Sequence, residues 1–456
     1  MKTLGLTAAA LLTIASARVV SAATRHFFLK NGDRVMFYGD SITEQRFYPA
    51  DVETYVTTRF PNLHVQFTDS GVGGDKVGGG WAGPINQRLK RDVFPFKPNV
   101  VTIMLAMNDA GYQPFNQNLF NTYKAGYKHI IASLKAHLPH VRIVLIQPSP
   151  YDDVTQKPGF PGGYNAVLIR YGNWVKKLAA KDHLMCVDFN TPLVKVMQHM
   201  EKVNKSLAGH VVPGRVHPSA AGEIVMAQAL LKAWGAPATV SRVALSAAKQ
   251  RTVAAQDSTV SHVSFSHGKL SWTELDKCLP MPVMALHDKW PQFPPMDLSP
   301  GPNRNLAWTN PATAMIMHYS HFYRQLDQEN LTVTGLKGGQ YKLTIDGKPT
   351  GTFTAAQLAK GVNLAKYNTP MMAQAYHVQR LVWRRIELRF VAWRNVQLLL
   401  EGKGWGPQIA VKSKKVRRAA RAFERAMYAR ANHDLARDRA AARTKPHHFV
   451  LTPASR

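Results

Sequence analysis

The sequence predicts an α/β fold, with a doubly wound parallel sheet in the first half of the chain and a smaller α+β module after it. Apolar, strand-like runs alternate regularly with helix-like segments, which is typical of a parallel sheet covered by helices on both faces. The strand-like runs lie near residues 34–38, 64–68, 99–105, 141–146 and 184–188, and the helix-like segments near 49–60, 81–94, 116–138, 163–182 and 218–234. After about residue 238 this alternation ends and short β-like pieces replace it.

The first predicted strand, Val35-Met36-Phe37-Tyr38, is followed directly by Gly39-Asp40-Ser41-Ile42-Thr43. Glycine lets the backbone turn sharply, and the short Asp40 side chain can hold the turn through local hydrogen bonds. Ser41 is therefore predicted to lie on a tight turn at the C-terminal edge of the sheet. Ligands bind at that edge in open α/β folds.

Three further polar blocks follow in a fixed order. Ser70-Gly71-Val72-Gly73-Gly74-Asp75 comes after the second predicted strand and Ala106-Met107-Asn108-Asp109 after the third. Gly214-Arg215-Val216-His217-Pro218 precedes the last helix-like segment of this half. Together with the block around Ser41, they resemble the SGNH (GDSL-type) hydrolase superfamily over roughly residues 30–236. The resemblance implies a three-layer, flavodoxin-like version of the sheet.

The resemblance also implies a role for one residue in each block. Ser41 would be the nucleophile and His217 the base that takes its proton, a task that suits a side chain with a pKa near neutrality. Gly74, through its backbone N–H, and Asn108, through its side-chain amide, would donate hydrogen bonds to the oxyanion, together with the N–H of Ser41. Asp109 is interpreted as structural.

The chain departs from the family pattern three residues before the histidine, where the family usually has an aspartate and this chain has Gly214. Three alternatives follow. A main-chain carbonyl near Pro213 or Gly214 orients His217, or a carboxylate from elsewhere, such as Asp188 or Glu223, replaces the aspartate. In the third alternative the chain has lost catalysis.

The function that the resemblance implies is a serine esterase. Short acyl groups on carbohydrate are the preferred substrate class, by analogy with deacetylating members of the family. A lipid ester hydrolase, an acyltransferase and a non-catalytic protein that binds envelope polysaccharide are the alternatives. Trp81, Tyr112 and Tyr151 are candidate walls of the substrate site.

Residues 1–23 have the pattern of a secretory signal, with Lys2, an apolar stretch and small residues ending at Ala22-Ala23. We therefore expect a secreted or periplasmic protein without a transmembrane segment. Cys186 and Cys278 are the two cysteines of the chain, and their spacing does not show whether they pair. No cofactor and no metal site is predicted, because no histidine or cysteine motif has metal-ligand spacing.

The chain is strongly basic, with 58 Lys and Arg against 28 Asp and Glu. The range 412–445 contributes 12 basic and 3 acidic residues. Such runs bind nucleic acid or anionic surfaces. Aromatic residues are sparse there, so nucleic acid is disfavoured as a partner. The partners that an exported protein would meet are acidic envelope polymers or lipid headgroups, and the alternative is a solvated helix without a specific partner.

The predicted domains are the signal (1–23), the hydrolase domain (24–238), an α+β accessory module (239–410) and a basic helical tail (411–456). Residues 237–259 are interpreted as a linker. In the accessory module, Asp346-Gly347 indicates a hairpin, residues 355–360 a short capped helix, and residues from 370 to about 400 a long one. The four β-like pieces lie at 262–265, 269–272, 331–335 and 341–346.

Overall fold

The computed structural model describes residues 26–283, 310–403 and 411–454. In these ranges the first half of the chain forms a parallel sheet with the strand order β2-β1-β5-β6-β7. This is the flavodoxin-like order, so the predicted fold class is confirmed. The strands are β1 (Arg34–Gly39), β2 (Gln66–Gly71), β5 (Val100–Met104), β6 (Arg142–Gln147) and β7 (Met185–Asp188), and the short strands β3 (Gly79–Gly80) and β4 (Gly83–Pro84) form a separate ribbon.

Helices cover the sheet. Helix α2 packs against α8, and α4 contacts α5 through aromatic side chains in tilted and edge-to-face arrangements. Every residue of β5 is buried, as expected for a strand that is covered on both faces. The helices are α1 (Ser41–Glu44), α2 (Phe47–Arg59), α3 (Ile85–Arg88), α4 (Gln117–His137), α5 (Gly163–Lys181), α6 (Asn190–Val203), α7 (Lys205–Ala208) and α8 (Ala220–Ala233), with a π-helical turn at Leu89–Val93 and a 3₁₀ turn at Phe94–Phe96.

The second half begins with strands where a linker was expected. The interpretation of residues 237–259 as a linker is wrong, because they contain β8, β9 and the start of β10. The strands of this half are β8 (Thr239–Ser246), β9 (Arg251–Gln256), β10 (Ser258–Ser266), β11 (Lys269–Asp276), β12 (Gln328–Thr334), β13 (Gln340–Ile345), β14 (Lys348–Thr354), β15 (Val362–Asn363) and β16 (His447–Pro453). They form two sheets, ordered β15-β12-β8-β9 and β10-β11-β16-β13-β14, with one shared core.

The range 411–456, predicted to be a basic helical tail, contains a strand as well as a helix. Helix α14 (Lys414–Ala441) is the predicted helix. Strand β16 pairs on one side with β11 and on the other with β13, so it lies in the middle of its sheet. Its alternate residues His447, Phe449 and Leu451 are buried, with the period of two of a β-strand. The predicted domain boundaries themselves remain predictions.

The described helices of the second half are α9 (Pro311–Tyr319), α10 (Phe322–Leu326), α11 (Ala355–Lys360), α12 (Pro370–Phe390), α13 (Leu398–Leu400) and α14, with a π-helical segment at Val391–Gln397 and a 3₁₀ turn at Leu364–Lys366. Several of them pack against the first half, among them α9 and α10, which contact α8. Helix α12 contacts α2 and α14. Between these helices, Arg385 pairs with Glu53 and, at 2.9 Å, with Asp438, and all three side chains are buried. The two halves therefore share a continuous interior.

Several sequence expectations concern single features. The expected signal at 1–23 lies outside the described residues. In the described ranges, the helices are too short or too polar to cross a membrane, and no cluster of side chains suits a metal ion. Cys186 is half-buried and Cys278 is buried, and both are free thiols.

Candidate active site

Ser41 lies at the end of β1, as predicted, where the chain turns into α1. The Asp40 side chain caps this helix by accepting a hydrogen bond from the Ile42 N–H at 3.0 Å. At Gly39, a Cβ atom would lie 2.1 Å from the Thr43 hydroxyl, so only glycine fits. These constraints fix the serine at the C-terminal edge of the parallel sheet.

His217 reaches the serine from the segment before α8. Its Nε2 atom is 2.8 Å from the Ser41 Oγ atom, although the two residues are 176 positions apart in the chain. The Ser219 hydroxyl caps α8 by accepting from the Gly222 N–H, and this fixes the start of the helix. Gly214, which replaces the expected aspartate, has a φ of 69° in the turn that leads to His217.

Burial lowers the pKa of His217 to about 4. The charged imidazolium loses hydration inside the protein, so the neutral form is favoured. At neutral pH the ring is therefore unprotonated at one nitrogen, and Nε2 can accept the Ser41 hydroxyl proton. The neutral form is the one that can accept a proton, but a pKa of about 4 makes the ring a weaker base than the near-neutral histidine expected from the sequence.

The two carboxylates considered as substitutes for the missing aspartate have structural contacts elsewhere. Asp188 caps α6 by accepting from the N–H groups of Asn190 and Thr191. Glu223 accepts from the Tyr48 N–H at 2.7 Å, and its burial raises the pKa of the carboxyl well above the usual range. Among the described contacts, neither carboxylate is hydrogen-bonded to His217.

The loop after β2 lies against Asn108, so the second and third blocks meet. The Asn108 side-chain amide donates to the Asp75 carbonyl at 3.1 Å, while its oxygen accepts from the Tyr112 hydroxyl at 3.0 Å. These two bonds fix the orientation of the amide. Gly74 is exposed in the same loop with a φ of 75°, a conformation that suits glycine.

Two buried carboxylates, Asp75 and Asp109, anchor this loop to the interior of the protein. Asp75 pairs with Arg88 at 2.9 Å, and the same guanidinium donates to the Ser70 carbonyl at 2.7 Å. Asp109 accepts from the Val77 N–H at 2.9 Å, and its burial raises the pKa of the carboxyl to about 7. Asp109 is thus bound to the loop backbone, as its structural interpretation requires. Arg88 was missed because a single arginine in a helical segment gives no sequence signal.

Aromatic side chains form one wall beside Asn108. The Tyr112 ring is 45% exposed and lies 5.0 Å from the ring of Tyr164 and 6.2 Å from that of Tyr151. The Arg215 guanidinium lies 5.7 Å from the Tyr151 ring. The ring of Trp81, the third candidate wall residue, lies 4.2 Å from the Arg394 guanidinium. Tyr164 and Arg215 were not foreseen as part of this wall.

The chain is similar to several known proteins. Residues 37–223 match the GDSL-like lipase/acylhydrolase family. An acetylxylan esterase of Geobacillus stearothermophilus is 27% identical over 227 residues, which is 45% of this chain and 95% of that protein. The solved structure of a gut microbial diltiazem-metabolizing enzyme is 26% identical with a TM-score of 0.76, and the match covers 93% of this chain and 98% of that one.

The family match includes the segments that carry Ser41, Gly74, Asn108 and His217, and the sheet has the order that the family resemblance implies. Residues 37–223 therefore belong to the SGNH (GDSL-type) hydrolase superfamily, and the protein is a carboxylic ester hydrolase of that type.

Proposed function

We propose that the protein is an exported esterase that removes short acyl groups from carbohydrate hydroxyls through an acyl-enzyme on Ser41. The observation that carries this proposal is the 2.8 Å contact between His217 Nε2 and Ser41 Oγ. It joins a nucleophile to a neutral base at the ligand-binding edge of the sheet. The signal-like residues 1–23 support export.

The reaction has two halves. Ser41 Oγ bonds to the ester carbonyl carbon while its proton passes to His217 Nε2, and the tetrahedral oxyanion accepts hydrogen bonds from the N–H groups of Ser41 and Gly74 and from Asn108. The carbon–oxygen bond to the alcohol then breaks, and the alcohol leaves with the proton from His217. Water repeats the sequence on the acyl-enzyme and releases the carboxylic acid. Preorganised donors of this kind are commonly the largest contribution to catalysis.

Two observations support a carbohydrate ester as the substrate. The related protein from Geobacillus stearothermophilus is an acetylxylan esterase. The exposed Tyr112 ring beside Asn108 offers an apolar face on which a sugar ring can stack. A substrate with a long acyl chain would instead need an extended apolar channel next to Ser41.

The test is hydrolysis of p-nitrophenyl acetate by the mature protein and by Ser41→Ala and His217→Ala, with Ser206→Ala and His64→Ala as exposed controls. Both site variants are expected to lose more than about 10,000-fold in kcat, because a triad-type nucleophile and base act as a unit. Both controls are expected to match the wild type. Near-background rates in all five proteins, without labelling of Ser41 by a phosphonate, would overturn the proposal in favour of a binding protein.

Release of acetate from acetylated xylan then tests the substrate class. The expected result is efficient release, together with a steep fall in kcat/KM along a series of p-nitrophenyl esters from acetate to octanoate. A preference for octanoate would instead assign the enzyme to lipid esters. Transfer of the acetyl group to an added sugar in place of water would assign it to the acyltransferases.

We further propose that the exposed part of α14 holds the enzyme against an acidic envelope polymer. Lys414, Lys415, Arg418, Arg421 and Arg425 are all exposed on this helix. Such a cluster attracts polyanions by an interaction that salt screens. Retention on immobilised polygalacturonate should fall when these five residues become glutamine and should weaken with salt. Equal retention of both proteins would exclude this surface.

A further inference from the structure

We propose that Arg394 is a positioning residue for the oxyanion site: it holds the peptide that presents the Gly74 N–H. This inference rests on the proposed function, because it assumes that Gly74 donates to the oxyanion. Arg394 lies in the π-helical segment Val391–Gln397, far outside the family match at 37–223. The second half of the chain would thus contribute directly to the geometry of the site.

The residue before Gly74 is held at both of its polar backbone atoms. The Gly73 N–H donates to Glu44 Oε2 at 2.6 Å. The Gly73 carbonyl accepts from Trp81 Nε1 at 2.8 Å. Since Gly73 and Gly74 share a peptide bond, these two contacts set the direction in which the Gly74 N–H points.

Arg394 contacts both groups that hold Gly73. Its Nε atom donates to Glu44 Oε1 at 2.8 Å. Its guanidinium lies 4.2 Å from the centre of the Trp81 ring. Glu44 therefore accepts from Gly73 with one carboxylate oxygen and from Arg394 with the other, and Trp81 is held between Gly73 and the cation. A single side chain braces both sides of the glycine.

The segment that carries Arg394 is itself fixed against the hydrolase domain. Trp393, the preceding residue, donates from Nε1 to Asp92 Oδ1 at 2.9 Å. Phe390 lies under the Arg46 guanidinium at 3.7 Å, and Arg46 pairs with Glu387 at 2.9 Å. π-helical turns are rare and are frequently found at functional sites. Here the wider turn lies where Trp393 and Arg394 both meet the hydrolase domain.

The loop that carries Gly74 depends on these contacts to Gly73 for its position. A Cβ built on Gly74 would meet no atom within 4 Å, so little packing restrains this residue directly. Displacement of a reacting or stabilising group by about 1 Å can cost about 100-fold in rate. Loss of the brace should therefore lower kcat while leaving substrate binding at the aromatic wall nearly unchanged.

The experiment compares Arg394→Gln, Glu44→Gln and Trp81→Phe in the full-length mature protein. Glutamine at 44 has one acceptor oxygen for two donors, and phenylalanine at 81 keeps the ring but removes the donor to Gly73. Glu401→Gln is the matched control. It breaks the 2.7 Å pair between Arg91 and Glu401, which also links the two halves but does not touch Gly73.

The expected result is a fall in kcat of about 10- to 100-fold in the three test variants, with KM changed by less than about threefold. Labelling of Ser41 by a phosphonate should slow by a similar factor, because its adduct also places an oxygen in the oxyanion site. Arg394→Lys should recover part of the loss, since it restores the charge beside Glu44. Glu401→Gln should behave as the wild type.

Two results would overturn the inference. One is kcat in Arg394→Gln equal to that in Glu401→Gln. The other is a double variant, Glu44→Gln/Arg394→Gln, in which the loss of kcat, expressed as a free energy, equals the sum of the losses in the two single variants. Residues that act through one another cost less together than the sum of their separate effects. If Arg394→Gln does not fold, a wild-type kcat in both Glu44→Gln and Trp81→Phe would equally overturn the inference. An inactive wild type with unlabelled Ser41 would instead refute the proposed function.

Discussion

At the scale of single residues, His217 differs from an exposed histidine in the pH at which it becomes charged. Burial favours its neutral form down to a pKa of about 4, against about 6.5 for an exposed imidazole. Folding therefore gains nothing from protonation of this ring. The contribution of His217 to stability is lost as the pH falls from about 6.5 through 4, because the unfolded chain binds the proton first.

The same shift predicts the pH dependence of the reaction. We expect the acid limb of kcat/KM for p-nitrophenyl acetate to have an apparent pKa below 6, because His217 stays neutral at mildly acidic pH. A pH–rate profile from pH 4 to 8 measures it. Burial also raises the pKa of the nearby Asp40 carboxyl to about 7. Asp40→Asn, which keeps the capping oxygen, should leave the acid limb in place, and a limb at 6.5 or above would contradict the expected role of burial.

The site was predictable from sequence to the extent that its side chains lie at the ends of strands and helices. The carboxyl ends of parallel strands lie at one edge of the sheet. Residues that directly follow such strands, such as Ser41 and Asn108, therefore lie near one another independently of the loop conformations. Glu44, Arg88 and Arg394 were not predictable as parts of the site. Their roles depend on which surfaces pack together, and a charged residue on a helix has the same local pattern whether it is solvated or paired.

At the scale of elements, the end of β2 and the short helix α1 are packed without spare volume. A Cβ atom on Gly71 would lie 2.2 Å from the Glu44 backbone nitrogen, deep inside normal contact distance. Helix α1 carries both Ser41 and Glu44. The spacing between β2 and α1 therefore affects both Ser41, the proposed nucleophile, and the loop that carries Gly74, whose neighbour Gly73 donates to Glu44.

Gly71→Ala should consequently lower the free energy of unfolding by about 1–3 kcal/mol, the usual cost of overpacking, and should reduce kcat as well. Urea denaturation and p-nitrophenyl acetate hydrolysis measure the two effects. Gly78→Ala is the matched control, because a Cβ there meets no atom within 4 Å and φ is not positive. Equal stability and activity of both variants would show that α1 can move away without cost.

The elements of the first half were more predictable than those of the second for a physical reason. Strands buried on both faces, such as β5, are continuous apolar runs. Strand β9 is exposed at most of its residues, so its sequence Arg251–Gln256 has no apolar alternation and is similar to a polar linker. Helix α6, which follows β7 after a single residue, was not among the predicted helix-like segments.

At the scale of the whole molecule, the two halves behave as one body because their buried groups pair across the boundary. Helix α12 places Arg385 against Glu53 of α2 and Asp438 of α14. Removing one member of such a buried set typically costs about 3–5 kcal/mol, since the others remain buried and unpaired. A hydrolase domain cut at residue 238 would expose this face of α2.

Strand β16 gives the corresponding prediction for the second half. A chain that ends at Pro446 lacks the strand between β11 and β13, together with the buried Phe449 and Leu451. We expect a lower Tm and aggregation through the two unpaired strand edges, measured by thermal melting and light scattering. A chain that ends at Ala454 keeps β16 and is the control. Equal melting of both chains would show that this sheet does not depend on its central strand.

Because β16 lies in the middle of its sheet, the order in which the strands are synthesised determines when that sheet can be completed. The ribosome makes β11 and β13 long before β16, so their shared partner is missing while most of the chain already exists. Pairings between distant segments form late and slowly. A nascent chain thus keeps the edges of β11 and β13 unpaired until β16 emerges.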